Sequence, residues 1–124
     1  MTLEEIRELT VSCLPEKFAL MKLSFYGRDS EPDGDYVIIG DDCGVNLCVR
    51  PSDGTVWAVD PRGDLPTRFV NSSIEHLSEC IEAAKTVTDA KGLRGAVGKS
   101  DPATLSSQEN WWACWVEDAE VFGS

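Results

Sequence analysis

The chain has 124 residues, a length that predicts one domain spanning residues 1–124. Hydrophobic residues make up 42% of it, which is enough for a packed core and excludes global disorder. Twenty-two acidic residues against eleven basic ones give a formal net charge of −11, which excludes direct binding to the phosphates of nucleic acids or to an anionic membrane. No apolar run reaches the ~20 residues of a membrane-spanning helix, and residues 1–5 lack the basic stretch of a secretory signal, so we expect a cytoplasmic protein.

The first half of the chain predicts one helix followed by strands. Thr2 and Glu5 form a capping box, and apolar residues recur at helical spacing over residues 3–13 until Pro15. Residues 18–25 predict a strand in their second half, and residues 27–35 predict an acidic loop.

Three β-rich runs follow, at residues 36–40, 45–49 and 55–59, and they predict an antiparallel meander. The turn sequence Pro51-Ser52-Asp53-Gly54 predicts that the last two runs form a hairpin. Residues 69–70 predict a last short strand.

The hydrophobic period becomes helical after residue 72. Ser72 and Glu75 predict a second capping box, which begins a helix that continues to about residue 88. Residues 92–99 predict a glycine-rich connector, and Asp101-Pro102 predicts an N-cap followed by proline. A last helix is expected from about residue 106, with most of the group Trp111, Trp112 and Trp115 in the core and one tryptophan free to act as a surface anchor. The order of elements predicts an α+β fold: an antiparallel sheet of four to five strands, with the N-terminal helix and the C-terminal helices packed on it.

No motif in the chain predicts catalysis, a cofactor or a metal centre. The stretch Gly98-Lys99-Ser100 lacks the glycine that a phosphate-binding loop requires five residues earlier, where Leu93 stands. His76, the only histidine, has no nucleophile motif around it and reads as an ordinary helix-face residue. The acidic run from Asp29 lacks the glutamate that a calcium loop requires at its twelfth position, and an incidental calcium site stays open.

Five cysteines are scattered through the chain without the tight pairing of a disulfide scaffold or a zinc site. We therefore expect reduced, buried thiols. They are Cys13, Cys43, Cys48, Cys80 and Cys114.

The acidic residues are unevenly distributed. Residues 29–64 hold nine acids and two bases, and so carry seven of the eleven net negative charges. Such a local field raises the rate of encounter with a positively charged protein. We predict a partner-binding surface made by the acids of the predicted meander and its loops, namely Asp29, Glu31, Asp33, Asp35, Asp41 and Asp42.

Several motifs resemble the SUKH superfamily, most closely its branch of bacterial immunity proteins. They are the run Tyr36-Val37-Ile38-Ile39-Gly40, the hairpin Pro51-x-Asp53-Gly54-x-Val56, the helix entry Phe69-Val70-Asn71-Ser72-Ser73-Ile74, and the segment from Asp101-Pro102 through Trp111-Trp112 to Val116. The likeness covers about residues 14–118.

This resemblance implies an α+β domain that neutralises the cognate toxin of a bacterial polymorphic toxin system. Such toxins are often nucleases or deaminases, and a toxin that grips nucleic acid tends to be basic, so an acidic inhibitor suits it. The matching residues Gly40, Gly54, Asn71 and Ser72 are expected to be structural. An intracellular regulatory or scaffold domain that binds a housekeeping protein is the alternative, and the oligomeric state is left open.

Overall fold

The computed structural model describes residues 1–122 of the chain. Over this range the chain forms four α-helices, a seven-stranded sheet and three short 3₁₀ turns. The strands are β1 (Lys17–Phe18), β2 (Leu23–Phe25), β3 (Glu31–Asp33), β4 (Tyr36–Asp42), β5 (Val45–Val49), β6 (Val56–Val59) and β7 (Arg68–Asn71). The helices are α1 (Leu3–Cys13), α2 (Ile74–Thr86), α3 (Ala90–Ser100) and α4 (Trp111–Phe122).

The sheet is antiparallel throughout and confirms the predicted α+β class. The strand order is β1-β2-β4-β5-β6-β7. On the same side of β4, β2 pairs with its second half and β3 pairs with its first half. Five of the seven strands lie where the sequence predicted them. The two additional strands, β1 and β3, are only two and three residues long, too short for an alternating pattern.

Two turns fix the central hairpins. Cys43 and Gly44, which join β4 to β5, both have positive φ angles, of 50° and 99°, as in the two-residue turns that suit twisted strands. Gly54 closes the next turn at a φ of 77°, and its N–H donates to the carbonyl of Arg50 at 2.8 Å. The predicted hairpin over residues 45–59 is thereby confirmed.

The helix starts agree in part with the predictions. Thr2 and Glu5 form the predicted capping box of α1. Helix α2 is capped by Ser73, whose hydroxyl accepts the His76 N–H, so the predicted box at residue 72 is wrong by one position.

The predicted connector at residues 92–99 is also wrong, because these residues lie inside α3. Asp89 caps that helix by accepting the Gly92 N–H at 2.7 Å. A cap and packing against α2 and α4 thus outweigh the low helix propensity of three glycines.

One face of the sheet carries the hydrophobic core. Side chains of this inner face, including Val37, Leu47, Val49 and Val56, join a cluster with residues of α1, α2, α3 and α4. Trp111 and Trp112 lie in that core with their rings edge to face, whereas Trp115 is partly exposed, as the sequence analysis allowed for one of the three. No helix formed by residues 1–122 has the length and apolarity to traverse a bilayer.

Candidate protein-interaction surface

The second face of the sheet, here called the outer face, carries a row of apolar side chains. Cross-strand pairing places Ile38 of β4 beside Cys48 of β5, Cys48 beside Trp57 of β6, and Trp57 beside Phe69 of β7. Paired residues project to the same side of a sheet, and each of these four alternates with a core residue, so all four lie on the outer face. We call Ile38, Cys48, Trp57 and Phe69 the aromatic row.

Contacts within the outer face hold the rings of the aromatic row. Trp57 and Phe69 meet edge to face with their centroids 5.5 Å apart. The guanidinium of Arg50 lies over the Trp57 ring at 4.9 Å from its centroid, and the indole Nε1–H donates to the Thr55 hydroxyl at 2.7 Å. Arg50 is in turn paired with Asp53, so its charge is locally neutralised.

Three of the predicted acids lie together at the β3 edge of the outer face. Glu31 pairs with Ile38 and therefore extends the aromatic row onto β3, and Asp33 pairs with Tyr36. Asp35 follows in the turn between β3 and β4. All three carboxylates are exposed, and within residues 1–122 none of them forms an ion pair. We call Glu31, Asp33 and Asp35 the acidic edge.

Asp41 and Asp42 lie at the opposite end of β4, about 10–20 Å at the usual rise per strand residue from the positions that pair with Glu31 and Asp33. Asp41 pairs with Ser24 and Asn46 on the outer face. Asp42 projects to the inner face, where its Oδ2 accepts the Nε1–H of Trp111 at 2.9 Å. Burial raises the pKa of Asp42, the Trp111 hydrogen bond lowers it, and the nearby Asp41 raises it, for a net increase.

Asp29 is separated from the other predicted acids. It belongs to the 3₁₀ turn Gly27–Asp29, which packs against α1 on the helix side of the sheet. The neighbouring Arg28 is paired there with Glu4 and Glu8 of α1. The structure thus groups Glu31, Asp33, Asp35 and Asp41 around the outer face, whereas Asp29 and Asp42 lie elsewhere.

His76, the single histidine in the sequence, has a structural partner. His76 Nδ1 lies 2.7 Å from the hydroxyl of Ser73, the residue that caps α2. Over the part of the chain that the structure describes, no three His, Cys, Asp or Glu side chains converge as metal ligands.

The cysteines are all free, but only two of them are fully buried. Burial is the main cause that raises the pKa of the Cys48 thiol to about 12 and that of Cys80 to about 11. Cys43 is exposed at the β4–β5 turn, so the prediction of buried thiols is wrong at that position.

The aromatic row was not among the predicted site residues, which were all acids. Its signal was present in the alternation of residues 45–49 and 55–59, in which Cys48 and Trp57 hold the positions opposite to the core residues. Alternation within one strand indicates on which face of the sheet each side chain lies. It does not show that β7 brings Phe69 into the same row.

Comparison with known proteins gives a family match. A family model described as SUKH-4 immunity protein matches residues 8–118. No curated protein and no solved structure matches significantly.

Proposed function

The chain belongs to the SUKH-4 immunity protein family, and we propose that it binds a cognate toxin in the cytoplasm and blocks it by occupying its surface, without catalysing a reaction. The toxin is a basic protein that acts on nucleic acid, a nuclease or a deaminase of a polymorphic toxin system. Immunity therefore depends on affinity and on the lifetime of the complex.

The acidic edge is the observation that supports a basic partner. Three exposed carboxylates without an ion pair in the described chain lie within five residues of one another, on a molecule with a net charge of −11. Charges arranged in this way steer a cationic partner toward one side of the molecule and raise the association rate. The effect weakens as salt screens the field, with a Debye length of about 8 Å at physiological ionic strength.

Co-expression tests the proposal directly. The toxin gene adjacent to the gene for this chain is expressed in a sensitive host with and without the full chain, and survival is measured. The purified chain is then titrated with a catalytically inactivated form of the same toxin. We expect survival and a 1:1 complex. Death of the host despite expression of the chain, or recovery of a housekeeping protein as its partner, would favour the regulatory alternative.

A charge-reversal pair tests the role of the acidic edge. Glu31→Lys with Asp33→Lys should lower the association rate by about tenfold at low salt and flatten its salt dependence. Glu79→Lys with Glu117→Lys makes the same change in net charge at exposed positions on α2 and α4. If both variants slow association equally, only the overall charge matters and the acidic edge has no specific role.

A further inference from the structure

We propose that the basic toxin docks on the outer face of the sheet, with Trp57 and Phe69 as its central anchors and Glu31, Asp33 and Asp41 as a charged border. This inference rests on the proposed function and assigns its contact surface. It assigns most of the binding free energy to the aromatic row, and the steering of the toxin to the carboxylates.

The outer face is the side of the sheet without a covering layer in the part of the chain that the structure describes. The core cluster contains the inner-face residues of the same strands, together with side chains from all four helices, and it includes no member of the aromatic row. Cys48 is 2% exposed, yet it also lies outside that cluster, so its neighbours on the outer face bury it. Trp57 and Phe69 remain half-buried.

The aromatic row is preorganised for binding. The edge-to-face contact with Phe69, the stacked Arg50 and the hydrogen bond to Thr55 all restrain the Trp57 ring in the free protein. The Thr55 hydroxyl also donates to Asp53 Oδ1 at 2.6 Å. An anchor that is already ordered loses little conformational entropy on binding, so more of its burial contributes to affinity.

The charges around the row select a cationic partner. Glu31 continues the row at its β3 end, Asp33 lies beside Tyr36 on that edge, and Asp41 lies toward the far end of β4. Arg50, which stacks on the row, is paired with Asp53. An apolar centre flanked by acids on its β3–β4 side matches the usual arrangement of anchors and rim in interfaces, with a sign that favours lysine and arginine on the partner. The exposed Lys17 lies beyond Asp41 on the same face, paired with Ser24 at the edge of the sheet.

The size of the face suits the centre of such an interface. Together with Glu31, the row crosses five strands from β3 to β7, which span about 19 Å at the usual strand spacing. A standard interface takes ~800 Å² from each partner, so the row and the neighbouring residues along each strand would form its centre and the surrounding surface its remainder. The adjoining acidic edge extends the face further.

Binding of the catalytically inactivated toxin from the adjacent gene tests the assignment. Trp57→Ala and Phe69→Ala in the full chain should each weaken affinity by about 30-fold or more, the loss typical of a central anchor. Asn46→Arg places a long cationic side chain on the outer face beside Asp41 without removing a core contact, and it should also weaken binding by at least about tenfold.

Two matched controls lie on the helix side of the molecule. Leu20→Ala removes a large side chain that is 69% exposed in the turn after β1. Gln108→Arg adds the same charge as Asn46→Arg at an exposed position before α4. Both should bind within about threefold of the unchanged chain, as residues outside an interface do. Circular dichroism verifies that each variant is folded.

The outcomes separate the two proposals. If the unchanged chain neutralises the toxin and the folded Trp57→Ala and Asn46→Arg variants bind as tightly as it does, the docking face is wrong and the immunity function stands. If the unchanged chain binds no toxin, both proposals fall. If Trp57→Ala does not fold, the affinities of Asn46→Arg and Gln108→Arg for the toxin are compared, and this comparison alone tests the docking face.

Discussion

The side-chain amide of Asn71 donates a hydrogen bond of 3.0 Å to Oδ2 of Asp101, across 30 residues of sequence. The side-chain oxygen Oδ1 of Asn71 accepts the Nε1–H of Trp112 at 2.8 Å. Asp101 also accepts the N–H and the hydroxyl of Ser72, each at 2.8 Å. Asp101 and Asn71 are almost completely buried. This network therefore ties the end of β7 to the segment after α3 and to the start of α4.

Loss of the Asp101 carboxylate should destabilise the protein. Asp101→Ala removes the acceptor of one bond from the Asn71 amide and of two bonds from Ser72, and we expect the free energy of unfolding to fall by about 2–3 kcal/mol. Asp101→Asn keeps an oxygen for two of these donors and offers its amide to the Ser72 hydroxyl, so about 1 kcal/mol is expected. Urea unfolding at pH 7, followed by circular dichroism, measures both. The exposed Asp118→Ala is the control and should lie within about 0.5 kcal/mol of the unchanged chain.

The same carboxylate should make stability depend on pH. Burial raises the pKa of Asp101, but the hydrogen bonds from the Ser72 N–H, the Asn71 amide and the Ser72 hydroxyl lower it, and the net pKa is below the usual value. The ionised group thus stabilises the fold at pH above its unfolded pKa, about 3.9, and this contribution is lost as pH falls through the folded pKa. Urea midpoints at pH 7, 5 and 3 should fall less for Asp101→Asn than for the unchanged chain. Parallel losses would show that other carboxylates account for the acid sensitivity.

The sequence could predict the class of fold and most of the elements, because helical and alternating periods are local properties. The residues that contact Asp101 could not be predicted from the sequence. Asp101-Pro102 has the sequence of a helix N-cap, and a 3₁₀ turn does begin there, yet the side chain makes no capping bond and bonds Asn71 and Ser72 instead. The local signal located the start of this turn and did not indicate the long-range contact. The last helix begins at Trp111, not near residue 106 as the sequence predicted.

Two irregularities explain why the site could be predicted only in part. The pairing of β4 shifts between Ile38 and Gly40, and that of β7 shifts between Asn71 and Phe69. Each extra residue reverses the alternation of the side chains that follow it. Asp42 and Asn71 therefore turn toward the helices, where uninterrupted alternation would leave them on the outer face. The count of acids was available from the sequence, but the faces they occupy depended on these two shifts.

Two glycines should respond to alanine in opposite directions. A Cβ at Gly40 would lie 2.5 Å from the backbone oxygen of Ser24, so Gly40→Ala must displace β2 from β4 and should cost about 1–3 kcal/mol of stability. Gly95 lies inside α3 with open space around its Cα. Gly95→Ala should stabilise the protein by about 0.5–1 kcal/mol through helix propensity. Thermal and urea unfolding measure both, and a destabilising Gly95→Ala would contradict a helix at this position.

Asp42 offers a test of a half-buried charge. Because its pKa is raised, mainly by burial, the folded state favours the protonated form, and ionisation at pH 7 opposes folding. Asp42→Asn removes the charge and keeps an oxygen for the Trp111 Nε1–H, so its urea midpoint at pH 7 should equal or exceed that of the unchanged chain. Asp42→Ala leaves that donor unpaired and should lose about 1–2 kcal/mol. A lower midpoint for Asp42→Asn than for Asp42→Ala would contradict this account.

Cys43 should react with iodoacetamide much faster than Cys48 and Cys80 when the native protein is treated at pH 7.5. Cys43 is exposed at the β4–β5 turn and should be labelled first. Cys48 and Cys80 are buried, and with the pKa of their thiols raised to about 12 and about 11 they hold almost no reactive thiolate at this pH. Peptide mass spectrometry should find them labelled only after unfolding in urea. Fast native labelling of Cys48 would show that its neighbours in the aromatic row do not shield it, and it would remove the packed surface on which toxin docking depends.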